Sequence, residues 1–209
     1  MLFRLPPEAL VLLIPTLMFA LSFHEFSHAW MAYRCGDNTA ARMGRLTLNP
    51  IAHLDFFGSI MILFVGFGWA KPVPVDPQAL NNSRADMIKV AAAGPVSNLI
   101  LALFGGIIFR ILSGMPIFSD TIILMLYYFT SINISLAIFN LIPVSPLDGS
   151  QIFSGYLMKY NPHLAWKIQS YGPQVLFGLI LFGYITGFSI IWFIMKPFVK
   201  FFMFLFAGV

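Results

Sequence analysis

The pentapeptide His24-Glu25-Phe26-Ser27-His28 contains residue types that bind a metal ion and activate water. Its two histidines are four positions apart, so on a helix the imidazoles lie on one face, about 40° apart, and can bind one ion together. The glutamate between them can act as the general base of a metal-assisted hydrolysis. This H-E-x-x-H pattern therefore predicts a hydrolytic metal centre.

Two histidines do not complete such a centre, because a catalytic zinc ion usually has three protein ligands and one open position. The candidates for the third ligand are Asp148, His53, Asp55 and His163. Asp148 is favoured because it follows an apolar stretch that Pro143 and Pro146 must interrupt. Broken backbone at membrane depth is tolerated only inside protein or beside a water-filled cavity. The alternatives are an ordinary turn at Asp148 and a ligand from the stretch around His53.

The composition excludes a water-soluble monomer. Of 209 residues, 59% are hydrophobic and only 10% are charged, against about 25% charged in a typical soluble domain. The net charge of +4 favours cationic loops beside anionic lipid head groups. Nucleic-acid binding is not expected, since the basic residues form no cluster. The lone Cys35 cannot form an internal disulfide, so the fold does not depend on an oxidising compartment.

Long apolar runs indicate the elements that must position the predicted metal centre. A membrane helix needs roughly 20 residues, and the runs cover about 8–33, 87–112, 121–142 and 175–195, with a shorter one at 198–209. The run 56–70 has only 15 residues and contains three glycines, which is typical of a re-entrant segment.

These runs predict an all-α polytopic membrane protein, folded as a single membrane-embedded domain over 1–209. The catalytic core of three helices would cover about 8–150, and peripheral C-terminal helices would cover 173–209. A short re-entrant or β-hairpin segment is expected near 43–78.

The charge distribution predicts the sidedness of the chain. If 56–70 enters the membrane and returns, then 34–55, 71–89 and 149–172 share one side and hold eight of the twelve Lys and Arg residues. The positive-inside rule makes that side cytoplasmic, with Arg4 and Arg110 outside. In this topology the helix that carries His24 and the span that ends near residue 142 both run toward the cytoplasm, so their metal-bearing ends can meet.

Three motifs together resemble the site-2 protease family of intramembrane metalloproteases, in its compact bacterial form without an appended ligand-reading domain. They are the pentapeptide 24–28, the stretch 140–149, which matches N-x-x-P-x-x-x-x-D-G, and Ala93-Gly94-Pro95-Val96-Ser97-Asn98. The resemblance implies one zinc ion per chain, bound by His24, His28 and Asp148, with Glu25 activating water. It also implies a transmembrane segment of another protein as substrate, and an active site in the cell membrane that is reached from the cytoplasm.

Two asparagines and one short stretch are candidates for contact with a substrate. Asn140 could hold the substrate backbone or a developing oxyanion, or it could cap a broken helix. Asn98 could take part in the same way, but helix packing or support of a metal ligand is the favoured interpretation.

The stretch Arg45, Leu46, Thr47 and Leu48 alternates polar and apolar residues. That period predicts a strand, and an edge strand could pair with an extended substrate. The alternative is a hairpin that only connects elements.

A metal-ion transporter or channel is the competing function. Intramembrane carboxylates and histidines also mark ion paths, so the same His, Glu and Asp residues could form a permeation site. Glu25 separates the two hypotheses, because a permeation site has no special need for a carboxylate between two metal-binding histidines.

Overall fold

The computed structural model describes residues 7–65 and 68–209, so Arg4 and Gly66 lie outside the described part. Over these ranges the chain forms nine helices and no strand. The helices are α1 (Pro7–Arg34), α2 (Thr39–Arg42), α3 (Pro50–His53), α4 (Phe56–Val65), α5 (Ser83–Leu112), α6 (Asp120–Asn140), α7 (Asp148–Leu157), α8 (Pro162–Thr186) and α9 (Ile190–Ala207).

The long helices α1, α5 and α6 pack against one another and form the predicted three-helix core. Small residues such as Ala20, Gly94 and Ala137 are buried within it, and small side chains let helices approach closely where lipid supplies no hydrophobic driving force. Four of the described helices, namely α1, α5, α6 and α9, are long and apolar enough to cross a membrane. The prediction of an all-α polytopic membrane protein is therefore confirmed.

Helix α9 covers one side of this core. Met195, Val199 and Met203 repeat every four residues and are buried against α5 and α6. Phe201 and Phe204, on the other face, are more than half exposed. A helix with one face in the core and one apolar face outside is typical of a protein whose solvent is lipid.

The sequence-based boundary of the C-terminal helices was wrong. A single span over 175–195 was expected, but α8 ends at Thr186 and α9 begins at Ile190. Gly187 ends α8 because it adopts the left-handed conformation (φ 73°), which glycine reaches without steric cost. Ser189 then caps α9, since its side chain accepts a hydrogen bond from the Trp192 N–H.

The short segment after α3 turns back on itself. Helix α4 has ten residues and is therefore about 15 Å long, half of a bilayer's hydrocarbon core. Leu54, just before α4, forms an antiparallel bridge with Ala70, just after it. The two ends of the segment thus lie side by side, which is the geometry of the predicted re-entrant segment. Among the described residues of this segment, the expected β-hairpin is reduced to this one bridge.

The expected edge strand over Arg45, Leu46, Thr47 and Leu48 is absent, so this prediction was wrong. Gly44 ends α2 in the left-handed conformation, and the Arg45 N–H donates back to Ala40 O at 2.8 Å. Asn49 then begins α3, because its side chain accepts from the Ile51 N–H. The backbone between α2 and α3 therefore forms the turns that end one helix and begin the next.

Candidate metal centre

Three side chains from two distant parts of the chain meet at one point between α1 and α7. Nε2 of His24 and Nε2 of His28 are 3.0 Å apart. Oδ2 of Asp148 lies 3.1 Å from the first and 3.4 Å from the second. Tetrahedral ligands about 2.1 Å from a zinc ion lie about 3.4 Å from each other. The three atoms therefore have the spacing of ligands that share one small ion, as the sequence predicted for Asp148.

Hydrogen bonds on the far side of each imidazole set its orientation. Nδ1 of His24 lies 2.6 Å from Asn98 Oδ1, and Nδ1 of His28 lies 2.7 Å from Val90 O. Because both partners are acceptors, each Nδ1 carries the proton and each Nε2 presents its lone pair to the other ligands. Among the described residues no donor reaches the buried Oδ2 of Asp148. A cation at this point would satisfy all three atoms.

Gly94 makes room for the two imidazoles on the opposing helix. A Cβ at this position would lie 2.6 Å from Nε2 of His24 and closer still to Nε2 of His28. Glycine within a helix costs about 1 kcal/mol relative to alanine, so the close approach gives a physical reason for it in the middle of α5. The motif that contains Gly94 thus forms the wall behind the metal ligands.

Asp148 reaches the histidines because the chain turns sharply after α6. Helix α6 ends at Asn140, and turns bring the chain to Asp148, the first residue of α7. Gly149 permits this turn, since a Cβ there would collide with the backbone carbonyl of Leu141. Gly172 of α8 packs equally closely on Ser145. Other parts of the protein therefore pack closely against the broken end of α6 at these two glycines.

A cavity of about 680 Å³ lies beside the three ligands, and Glu25 lines it together with them. One wall includes Pro72, Val73 and Val75, which belong to the segment Lys71-Pro72-Val73-Pro74-Val75-Asp76, called the strap below. The Val73 N–H donates to Oε2 of Glu25 at 3.1 Å. The remaining walls are mainly apolar and include Leu136, Leu176 and Phe177. The site thus combines a carboxylate, a candidate metal-binding cluster and a partly open cavity.

Asn98 has a different place from the substrate contact considered for it. It is fully buried and is not among the residues that line the cavity. Its amide donates to Ala20 O at 3.1 Å and to Asn133 Oδ1 at 2.9 Å, and its oxygen accepts from His24. The structure thus favours support of a metal ligand over direct contact with a substrate. Asn140 lines the cavity, while its amide also donates to Leu136 O at 3.0 Å.

The rival third ligands lie outside the cluster. His53 is buried, but Nε2 faces Thr47 O at 2.8 Å, and the second ring nitrogen lies 3.4 Å from the Arg45 guanidinium. Oδ1 of Asp55 accepts from the Gly58 N–H at the start of α4. His163 belongs to the first turn of α8 and is exposed.

Two features of the site were missed from the sequence. The close approach at Gly94 was not inferred, although the motif around it was noted. The contact of the Val73 N–H with Glu25 is a backbone contact, and the flanking prolines were its only local indication. A proline-rich stretch predicts extended backbone, but it does not say what lies against it.

Fold and site together define a class: a polytopic membrane protein with a buried His-His-Asp metal site and a carboxylate beside it, as in metal-dependent hydrolases. Comparison with known proteins identifies the same class. The family model described as peptidase family M50 matches residues 12–122 and 116–183. The chain belongs to this family, which confirms the resemblance to site-2 proteases.

Individual relatives cover most of the chain. YwhC of Bacillus subtilis (strain 168), which is named as a zinc metalloprotease, is 39% identical over 192 residues, covering 90% of this chain and 87% of YwhC. Rip2 of Mycobacterium tuberculosis, named in the same way, is 27% identical over 181 residues, covering 81% of this chain but only 64% of Rip2. No solved structure matches the chain.

Proposed function

We propose that the protein is a zinc-dependent endopeptidase that cleaves transmembrane segments of other membrane proteins within the bilayer. The observation that carries this proposal is the convergence of His24, His28 and Asp148 on one point of a cavity that Glu25 also lines. Family membership adds peptidase activity, and the names of the relatives add zinc as the metal. A metal transporter is not favoured, because the matching family is a peptidase family.

The three side chains would hold one zinc ion, and the cavity beside them would give water and a substrate access to it. Zinc held there supplies Lewis acidity, which makes water a stronger nucleophile and polarises a scissile carbonyl. Two nitrogen ligands and one carboxylate are a combination found in zinc peptidases.

Glu25 would act as the general base and then as the acid. Its carboxylate takes a proton from the attacking water while the new C–O bond forms, and it returns a proton to the leaving amine as the C–N bond breaks. Asn140 is the candidate to hold the substrate backbone or the oxyanion, because it lines the same cavity and an amide N–H can stabilise charge that develops in the transition state.

The position of the site along α1 supports a substrate inside the membrane. His24 is ten residues before the end of α1 at Arg34, which is about 15 Å along the helix axis. The cavity is walled mainly by apolar side chains from α6 and α8, and these suit an apolar segment. Such a segment must unwind locally, since a helix keeps its own peptide bonds hydrogen-bonded.

The orientation of the site is part of the proposal. The end of α1 that carries His24 and His28, and the start of α7 at Asp148, adjoin the segments 34–55, 71–89 and 149–172, where eight Lys and Arg residues are found. The positive-inside rule places these segments in the cytoplasm, so water and the emerging products would exchange with the cytoplasm.

Reconstitution with single-span substrates tests the proposal. Glu25→Gln should bind zinc with normal stoichiometry and cleave nothing, whereas Asp148→Ala should lose zinc and activity together. Asp120→Asn, an exposed acid in the first turn of α6, is the control and should match the wild type. Cleavage that persists in Glu25→Gln, or full zinc occupancy in Asp148→Ala, would contradict the mechanism.

A further inference from the structure

The strap is held at both ends by the loops that connect α1 to α4. At one end, the Lys71 N–H donates to His53 O at 2.8 Å, and the Arg45 guanidinium donates to Lys71 O at 2.6 Å. At the other end, the Asp76 N–H donates to Oδ2 of Asp37 at 2.8 Å. Asp37 is buried and Asp76 is exposed, so this second attachment is only partly shielded from water.

Proline limits what the strap backbone can donate. Prolines at 72 and 74 have no N–H, so the strap has four backbone N–H groups, at Lys71, Val73, Val75 and Asp76. Two of these four are used by the end attachments. A third, on Val73 between the two prolines, donates to the Glu25 carboxylate. Each of these prolines also has a fixed φ, which stiffens the segment that carries this donor.

We propose that the strap is a positioning element for Glu25: its two attachments and two prolines hold the Val73 N–H so that it orients the catalytic carboxylate in the cavity. This inference rests on the proposed role of Glu25 as general base. A hydrogen bond to Oε2 restricts rotation of the carboxylate and leaves Oε1 to receive the proton from water. Such preorganisation by an element that is itself held rigidly is what a catalytic group requires.

The two prolines also make the strap a poor template for an extended substrate. In an extended chain, alternate residues direct their N–H and C=O groups to the same edge. On the edge that contains 72, 74 and 76, the two prolines have carbonyl groups but no N–H, and the Asp76 N–H already donates to Asp37. On the opposite edge, Lys71 and Val73 already donate to His53 and Glu25. A substrate strand would find few donors on the strap.

Hydrogen exchange of the Val73 amide tests the contact without any measurement of activity. In the reconstituted zinc-loaded protein, Glu25→Ala should accelerate exchange at Val73 and leave exchange at Asp76 unchanged. Asp37→Ala should accelerate exchange at both residues, since it releases one end of the strap. Exchange at Val73 that does not respond to Glu25→Ala would overturn the proposal.

Kinetics test the consequence for catalysis. Val73→Pro removes the N–H and joins the prolines at 72 and 74 into a run of three, which favours extended backbone. A hydrogen bond to a charged group is worth enough to change a rate by about 10- to 100-fold. Val73→Pro should therefore lower kcat by that factor with KM and zinc content unchanged. Val73→Ala keeps the N–H, so its kcat should exceed that of Val73→Pro by at least about tenfold.

The combination of Val73→Pro with Asp37→Ala distinguishes positioning from general loss of structure. If Asp37 acts through the strap, Asp37→Ala should lower kcat in the wild type and cause no further loss in Val73→Pro. Losses that multiply would refute the proposal. Glu25→Gln in the same assay distinguishes the hypothesis that Glu25 is the general base from the hypothesis that the strap positions it. Cleavage by Glu25→Gln refutes the proposed role of Glu25 as general base, whereas its inactivity together with an unchanged kcat in Val73→Pro refutes only the role of the strap.

Discussion

Replacement of Asn98 by alanine should weaken zinc binding although Asn98 touches no ion. Its oxygen accepts the proton on Nδ1 of His24, and its amide joins Ala20 O of α1 to Asn133 of α6. In Asn98→Ala, the buried His24 ring loses the acceptor that sets its tautomer and orientation. The fraction of molecules in which Nε2 faces the other two ligands then falls.

The expected magnitude follows from the hydrogen bonds that the substitution removes. Mutation of a residue that orients a metal-binding histidine typically costs 10- to 100-fold in metal affinity, which is about 1.4 to 2.8 kcal/mol. The same change leaves a buried donor on His24 and a buried acceptor on Asn133 without their partners, each at about 1–3 kcal/mol of folding stability. Both zinc affinity and thermal stability should therefore fall.

A chelator competition titration in detergent measures the zinc Kd, and Asn98→Asp separates the two effects. A carboxylate still accepts from Nδ1 of His24, so zinc affinity should recover. It cannot donate to Ala20 O or Asn133 Oδ1, so the melting temperature should stay low. Ser97→Ala is the control, because Ser97 is buried next to Asn98 but its hydroxyl donates within α5 to Gly94 O. A zinc Kd in Asn98→Ala equal to that of Ser97→Ala would refute this reasoning.

Three further predictions concern other parts of the site. Gly94→Ala places a methyl group against both imidazoles, so the protein should still insert and fold but bind zinc substoichiometrically; full occupancy by elemental analysis would contradict this. Asn140→Ala should keep zinc but lower kcat, by about 10²- to 10³-fold if the amide binds an oxyanion, and a kcat equal to the wild type would exclude that role. Burial alone would raise the pKa of Asp37, but hydrogen bonds from Thr39 and from the Asp76 N–H outweigh it and lower the pKa below its usual 3.8. Because the pKa of Asp37 is lower in the folded state, its carboxylate stabilises the strap attachment above about pH 4, and this contribution is lost as the pH falls through the folded-state pKa. The difference in melting temperature between wild type and Asp37→Ala should therefore shrink only in that acidic range. A difference that disappears near neutral pH would contradict the lowered pKa of Asp37.

Features that depend on neighbouring residues were predictable from the sequence. The shared face of His24 and His28 follows from the helical period alone, and the length of the apolar runs indicated the spans. The failures at 45–48 and at 187–189 have a local cause. At 45–48 an alternating pattern, and at 187–189 a continuous apolar run, is outweighed by a left-handed glycine and a capping side chain that end one helix and begin the next. These are Gly44 and Asn49 in the first case and Gly187 and Ser189 in the second.

The residues that complete the site lie far apart in sequence, and only tertiary packing decided between them. His53, Asp55, His163 and Asp148 were all chemically suitable third ligands. The turn after α6 packs closely on Gly149 and Gly172. It brings Asp148 to the two histidines, whereas the other three candidates lie elsewhere. The contact between His24 and Asn98 joins residues 74 positions apart, and that between Val73 and Glu25 uses a backbone group that every residue type except proline possesses. A helix positions its own side chains by its period, whereas contacts between helices depend on how closely their surfaces can approach, and one methyl group at Gly94 would be enough to change that distance.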